Sequence, residues 1–354
     1  MKKRFFLALL CALLLSFSQL SEAASREELA AIRVASANDF QYWTDSSPAK
    51  AALIQYVKAV TDPDNPDFIP LPDRLAVFDV DGTLMCETAP IYFDMMVYLH
   101  RVLDDSTWQA PAAMRAMALE RRSALREHRP ANLDPDLEGV YQIQAFAGMT
   151  LTDYRAYVKR TMQEPVDGLT NLTRGEAFYL PMAEVVAYLA ANQFKIYFVS
   201  GADRIALRTV VDGIFPVGPE HVIGSDSWIR AAHQGNTDGL HYVYSHEDEL
   251  VRGEYQQEDT GMNKVSTIAR EIGRQPVLAF GNSKGDASML NYTITNNPYR
   301  SAAFILLCDD LNRELGSLKK AQATKALAEK NGWLSVSMRD EFKTIYGDEV
   351  KRQQ

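Results

Sequence analysis

The chain has 354 residues, 47% hydrophobic and 23% charged, and a formal net charge of −9 at pH 7. It is long enough for one large or two medium domains around a substantial core, and its composition excludes a disordered chain. The acidic balance disfavours nucleic acid and other polyanions as partners and leaves small phosphorylated molecules open.

Taken in chain order, residues 1–23 are expected to lie outside the fold. Lys2, Lys3 and Arg4 precede an apolar run from Phe5 to about Phe17, and Ser21 and Ala23 suit a cleavage site. That is the layout of a secretory signal peptide, with a run too short for a comfortable membrane span. Removing it takes away a net charge of +2 (Lys2, Lys3, Arg4, Glu22). The expected product is a soluble periplasmic or secreted protein with no stable membrane span. Ser25–Asn38 and Pro48–Val60 read as helices, the second opened by Ser47 and Pro48. They form an N-terminal arm, residues 24–72, closed by the loop that carries Pro63, Pro66, Pro70 and Pro72.

Arg74–Thr83 then reads as a short buried strand that carries two acids one residue apart and breaks on Gly82. Alternation along the strand puts Asp79 and Asp81 on one side, with the Val80 carbonyl near them, an oxygen-rich cradle for a hard cation. From Glu87 to about Glu176 the pattern is mainly helical: Pro90–Leu103, Ala112–His128 and Leu151–Gln163. A helix over Pro181–Asn192 precedes a second apolar strand, Phe194–Ser200, ending in Ser200-Gly201. A helix over Asp203–Val211 and a strand over His221–Ser225 follow. Residues 228–255 alternate polar and aromatic around Gly235-Asn236 and Asp238-Gly239, which predicts a β-hairpin. Asn263–Ile272 is a helix carrying Lys264, and Val277–Phe280 is a strand running into Asn282-Ser283-Lys284-Gly285-Asp286. Ala302–Leu307 is a last strand and Leu318–Lys330 a terminal helix. Alternating strands and helices predict a doubly wound parallel α/β sheet. Residues 73–86 and 177–345 make its core, and residues 87–176 a helical insertion. Cys86 and Cys308 have no metal-ligand spacing and read as buried free thiols.

Four stretches, Asp79-Val80-Asp81-Gly82-Thr83, Ser200-Gly201, Lys264, and Gly281 through Asp286, stand in order at strand ends or a helix start. Together the series resembles the haloacid dehalogenase-like hydrolase superfamily, and most nearly its phosphoserine phosphatase-like subgroup. The resemblance implies a phosphatase that hydrolyses small phosphate monoesters through an aspartyl phosphate, with the insertion as a cap over the site. It implies Asp79 as nucleophile and Asp81 as general acid and base, since halide, unlike an alkoxide, leaves without a proton. Ser200, Gly201 and Thr83 would bind phosphate and Lys264 would neutralise it. Mg2+ would be held by Asp79, the Val80 carbonyl and Asp286, with Asp81 a weaker ligand. Asn282, where many relatives carry an aspartate, would act through water.

In the cap, Arg115, Arg121, Arg122, Arg126 and Arg129 read as a solvated face. Glu87, Thr88 and Tyr92 are substrate-specificity candidates, although cap packing is the expected role of Tyr92, Phe93 and Met96. The subgroup's amine-binding glutamate would fall on Thr88, one position after Glu87, so serine specificity does not follow. A phosphorylcholine-type phosphatase, a phosphotransferase and a non-catalytic binding protein of the same fold are the alternatives.

Overall fold

The computed structural model describes residues 23–353, so the signal-peptide expectation lies outside the described residues. None of the described helices is long and apolar enough to cross a membrane. The arm holds α1 (Arg26–Ala31) and α2 (Pro48–Thr61). The first is shorter than expected because the Asp39 carboxylate accepts from Ala35 N–H (3.0 Å), Ser36 N–H (2.7 Å) and the Ser36 hydroxyl (3.0 Å). These local bonds offer the backbone an alternative to the helix.

Strand β1 (Leu75–Phe78) leads into the insertion: α3 (Phe93–Leu103), α4 (Ala112–Arg126), α5 (Pro135–Gln144) and α6 (Leu151–Thr161). The unexpected α5 starts on Asp134, whose side chain caps Asp136 N–H and Leu137 N–H ahead of Pro135. The core resumes with α7 (Leu180–Ala191), β2 (Lys195–Asp203), α8 (Arg204–Val211), β3 (Val222–Ala231), β4 (Leu250–Gln257) and α9 (Met262–Thr267). It ends with β5 (Leu278–Gly281), α10 (Ala287–Ile294), β6 (Ala302–Leu307), α11 (Leu318–Asn331), β7 (Leu334–Ser337) and α12 (Met338–Glu341).

The seven strands run β4-β3-β2-β1-β5-β6-β7. All pairs are parallel except β3–β4, so the predicted hairpin exists but extends the main sheet through β3. Its 232–249 connection is long and is gathered by the Asp248 carboxylate, which accepts from Ser245 N–H at 2.7 Å and the Tyr242 hydroxyl at 2.9 Å. Leu318–Asn331 is not the last element. It is followed by β7, a four-residue edge strand with too little apolar content to stand out in sequence.

Successive β1 residues enter opposite cores. Ala76 and Phe78 pack on one face, where Phe78 stacks on Phe280 at 4.4 Å, and Leu75 and Val77 pack on the other. Burying each large apolar side chain contributes about 1.5–3 kcal/mol, enough to fix the depth of the strand and the height of the residues after it. The arm packs on the back of the core. Trp43 Nε1 donates to the Pro181 carbonyl at 2.9 Å, Tyr56 donates to the Val277 carbonyl at 3.0 Å, and the Glu341 carboxylate accepts from Ser47 Oγ at 2.6 Å.

Candidate active site

The crevice opens beyond the carboxyl ends of β1, β2 and β5, with β1 between strands that lie before and after the reversal of strand order. Open parallel sheets bind ligands there. The backbone turns sharply after β1: the Val80 carbonyl accepts N–H from Thr83 (3.1 Å), Leu84 (2.8 Å) and Met85 (3.1 Å). This overturns the expectation that it faces a cation, because its lone pairs are taken up inside the turn. The Asp81 carbonyl accepts none of the backbone bonds of the described loop. Gly82, at φ +78°, permits the turn; a Cβ there would stand 1.8 Å from Asn282 Nδ2.

Residues far apart in the chain converge on this turn. Lys264 Nζ, fully buried, donates to Asp79 Oδ1 at 2.6 Å, Asp286 Oδ1 at 2.7 Å and the Val199 carbonyl at 2.7 Å. An ammonium has three N–H bonds, and here all three are used. Burial works against its charge, but Asp286 and Asp79 outweigh that and raise its pKa above the ordinary lysine value. Burial and the Asp286 charge push the Asp79 carboxyl up to about 7 despite Lys264. Asp286 is oriented from behind by Asn282 N–H and Ser283 N–H, each 3.0 Å from Oδ2. Gly281 lets it approach, since a Cβ there would lie 2.6 Å from the Asp286 Cβ.

Asp81 Oδ1 is buried without a hydrogen-bond partner. Burial, Asp94 and Asp79, in that order, hold its carboxyl well above the usual carboxylate range. Ser200 Oγ, at the end of the regular part of β2, accepts from Ala202 N–H at 3.1 Å, and Gly201 keeps the loop clear where a Cβ would meet Thr260 at 2.8 Å.

A cavity of about 310 Å³ joins these groups, lined among others by Asp79, Asp81, Ser200, Lys264, Asn282 and Asp286. Gly201, Glu87 and Tyr92 also reach it. Besides Val80, two candidates do not. The fully buried Thr83 hydroxyl sits behind the first acid and donates to Asp79 Oδ2 at 3.2 Å, which takes it off the phosphate. Thr88 turns away, donating at 3.1 Å to Glu314, a buried carboxylate also bonded by Tyr179 and Tyr346. Phe93 and Met96 pack into the cap, as expected, whereas Tyr92 is 43% exposed and lines the cavity. Cys86 is buried and free; Cys308 is free but only half-buried, a correction to its expected burial.

The arginines on and just after α4 are mostly committed rather than solvated. Arg121 holds Glu138, Arg122 holds Asp104, Arg129 holds Glu120 and Glu127, and Arg115 donates to the Val102 carbonyl at 3.1 Å. Further residues of the pocket carried no motif. Asp94 opens α3 and accepts from Asp203 N–H at 3.1 Å; Asp203 caps α8 and is gripped by the buried Arg252, which lies 3.9 Å over the Tyr154 ring. Burial lifts the Asp94 carboxyl to about 6.

Among the described residues, no three His, Cys, Asp or Glu side chains form a metal cage. The donors present nevertheless fit magnesium, which takes one or two carboxylates and fills its octahedron with water and phosphate. Asp79 and Asp286 are tied to the same ammonium, the Asp81 carbonyl is free, and the orphaned Asp81 oxygen lies beside them.

No protein-family model matches the chain, and no curated protein matches it in sequence. Solved structures do. A functionally unknown protein from Anaerococcus prevotii DSM 20548 is 13% identical, with 84% of this chain and 92% of that one covered and a TM-score of 0.50. A protein of unknown function from Bordetella pertussis Tohama I is 14% identical over 74% and 97% of the two chains, TM-score 0.47. Cytosolic 5'-nucleotidase IIIB bound to cytidine is 14% identical over 84% and 89%, TM-score 0.45. At such identities the likeness speaks to fold alone. With the sheet order, the tight acid-bearing turn after β1 and the helices inserted before β2, it gives the chain a doubly wound α/β fold.

Proposed function

We propose that the protein is a magnesium-dependent phosphatase that hydrolyses small phosphate monoesters through an aspartyl phosphate. The observation that carries this reading is the buried ammonium of Lys264 clamped between Asp79, Asp286 and the Val199 carbonyl at the bottom of an open cavity. A buried ion cluster gains little stability over apolar packing, so an expensive charge arrangement facing a cavity points to chemistry.

In the proposed reaction an Asp79 carboxylate oxygen bonds to phosphorus as the bond from phosphorus to the alcohol oxygen breaks. Asp81 gives its proton to the leaving oxygen. It then takes a proton from water, the water oxygen bonds to phosphorus, and Asp79 leaves as free carboxylate with inorganic phosphate as the product. Lys264 holds Asp79 in line and offsets the charge gathering on the phosphoryl oxygens. Ser200 Oγ and the backbone after it offer hydrogen bonds to those oxygens. Asp79, Asp286 and the Asp81 carbonyl would hold magnesium, which supplies a positive centre drawing the phosphoryl group and nucleophile together.

A preference within this class has its own support. Among the described residues, the cap side of the cavity offers an anionic alcohol no free cation: Arg121 is held by Glu138 and Arg252 by Asp203. Asp94 has no basic partner among the described residues, and Tyr92, Phe146 and Tyr154 stand around the same space. Neutral or cationic alcohols, including quaternary ammonium ones held over aromatic faces, fit better than second phosphates or carboxylates. A panel of phosphate esters with neutral, cationic and anionic alcohols, run with and without magnesium beside Asp79→Asn, tests both parts. Absence of magnesium-dependent phosphate release across the panel would leave a binding protein of this fold.

A further inference from the structure

Asn282 is a pocket residue whose amide orientation is set by another side chain of the cavity lining. Its Nδ2 donates to Glu87 Oε2 at 2.9 Å. A carboxylate only accepts, so this contact decides which end of the amide faces Glu87 and leaves the carbonyl Oδ1 on the other side, on a residue that lines the cavity with Asp79 and Asp286. The backbone N–H of the same residue donates to Asp286 Oδ2 at 3.0 Å, so one residue touches both the acid of the core and the entrance to the cap.

Glu87 is itself held. Lys320, on α11, donates to Glu87 Oε1 at 2.7 Å and Oε2 at 2.6 Å. The Glu87 side chain is 7% exposed and that of Lys320 is 36% exposed, so the cation reaches inward to a nearly closed carboxylate. Gly82 completes the unit: a Cβ there would lie 1.8 Å from Asn282 Nδ2 and 2.8 Å from Glu87 Oε2. The turn that carries Asp81 therefore rests directly on the contact between asparagine and glutamate.

We propose that Lys320, Glu87 and Asn282 form a positioning chain that presents Asn282 Oδ1 as a neutral acceptor to the hydration shell of the cation. Glu87, a specificity candidate by sequence, is then a positioning residue. Its charge is answered by Lys320 and its second oxygen by Asn282, so it has little left for a substrate amine. Asp94, with only backbone donors, is the better partner for one. A neutral amide at 282 also suits its neighbour, because an aspartate there would set two carboxylates against each other across a half-closed gap. This inference rests on the magnesium phosphatase reading.

The test measures magnesium binding without substrate, by calorimetric titration of the purified protein with MgCl2, for wild type, Glu87→Gln, Lys320→Met and Lys320→Arg. Groups that orient ligands from behind typically change metal affinity about 10–100-fold. Glu87→Gln is expected to weaken binding about tenfold and Lys320→Met by less, with Lys320→Arg close to wild type. In turnover, the magnesium needed for half-maximal rate rises for p-nitrophenyl phosphate and for amine-bearing esters alike, and the deficit narrows as magnesium is raised. Lys320 is partly exposed, so its variants keep the test open if Glu87→Gln folds poorly. Magnesium affinity within twofold of wild type in both Glu87→Gln and Lys320→Met overturns the chain while leaving the phosphatase reading intact. A higher KM confined to amine-bearing esters overturns it too, by placing Glu87 on the substrate. A wild-type protein that neither binds magnesium nor releases phosphate overturns both.

Discussion

Lys264→Met probes the site most directly, because methionine keeps the apolar stem and deletes only the ammonium with its bonds to Asp79, Asp286 and the Val199 carbonyl. Two buried carboxylates then face one space with no cation between them. Removing one partner of a buried ion pair costs about 3–5 kcal/mol, and uptake of one proton by the acid pair holds the cost near the lower figure. At roughly 2–3 °C per kcal/mol for a chain of this size, the melting temperature should fall by roughly 6–10 °C. The proton uptake sets a sign. Without the ammonium, the acid pair binds a proton more tightly than in wild type, where Asp79 already stands at about 7, so the stability of the variant relative to wild type should improve as pH falls toward about 7 and level off below it. Turnover should drop about 10²–10³-fold, the usual cost of one preorganised charge-stabilising donor, and more if the lysine also restrains the nucleophile. Circular dichroism melts at several pH values and phosphate release from a generic ester measure both quantities. A variant within tenfold of wild-type turnover and with an unchanged melting temperature would refute the assignment of Lys264 to the site.

Four other outcomes follow from named contacts. Asp81→Asn, which can neither give nor take the proton, should lower turnover at least 10²-fold for alkyl esters and much less for p-nitrophenyl phosphate, whose leaving group needs little protonation; equal losses on both would count against the acid role. Asp94→Asn should raise KM for cationic esters about tenfold and leave neutral ones within about twofold, as competition between the two substrate classes would report, if a desolvated charge contact is worth about 1.5 kcal/mol. Arg252→Met strands Asp203 inside the protein and should cost about 3–5 kcal/mol in urea unfolding; a loss below about 1 kcal/mol would mean that the N–H groups of Ile205 and Ala206 satisfy Asp203 by themselves. Burial raises Glu184, which ties the arm through Gln41 N–H and Tyr42 N–H, to about 7 from 4.5, so folding stability carried by this group is greatest below about pH 4.5 and falls as pH rises through 7. Glu184→Gln should flatten that decline in a series of melts.

What could be read from the chain alone was whatever physics ties to neighbours in sequence. The β1 run and its break on Gly82, the caps of the long helices and the strands at β2, β5 and β6 depend on periodicity and turn chemistry over a few residues, and they appear at or near the expected places. The Val80 carbonyl misled because alternation along a strand stops at the strand end: three N–H groups of the following turn curl back onto that oxygen. The short α1 misled for a similar reason, since Asp39 competes for the backbone from beyond the expected helix.

The rest of the pocket depends on pairs that no local pattern marks. Lys320 meets Glu87 across 233 positions and Arg252 meets Asp203 across 49. Each of these residues, met singly, is an ordinary charged residue in a loop or a regular element, and only closure of the sheet decides which charges are cancelled. That cancellation is what gives the cavity its character. Once Arg121, Arg252 and Lys320 have been claimed by Glu138, Asp203 and Glu87, the cap side keeps Asp94 and the aromatic rings while the core side keeps the Lys264 cluster. A ligand negative at one end and neutral or positive at the other matches both sides at once. In the proposed reading, the polarity of the substrate is therefore set by which arginines and lysines the fold has already used.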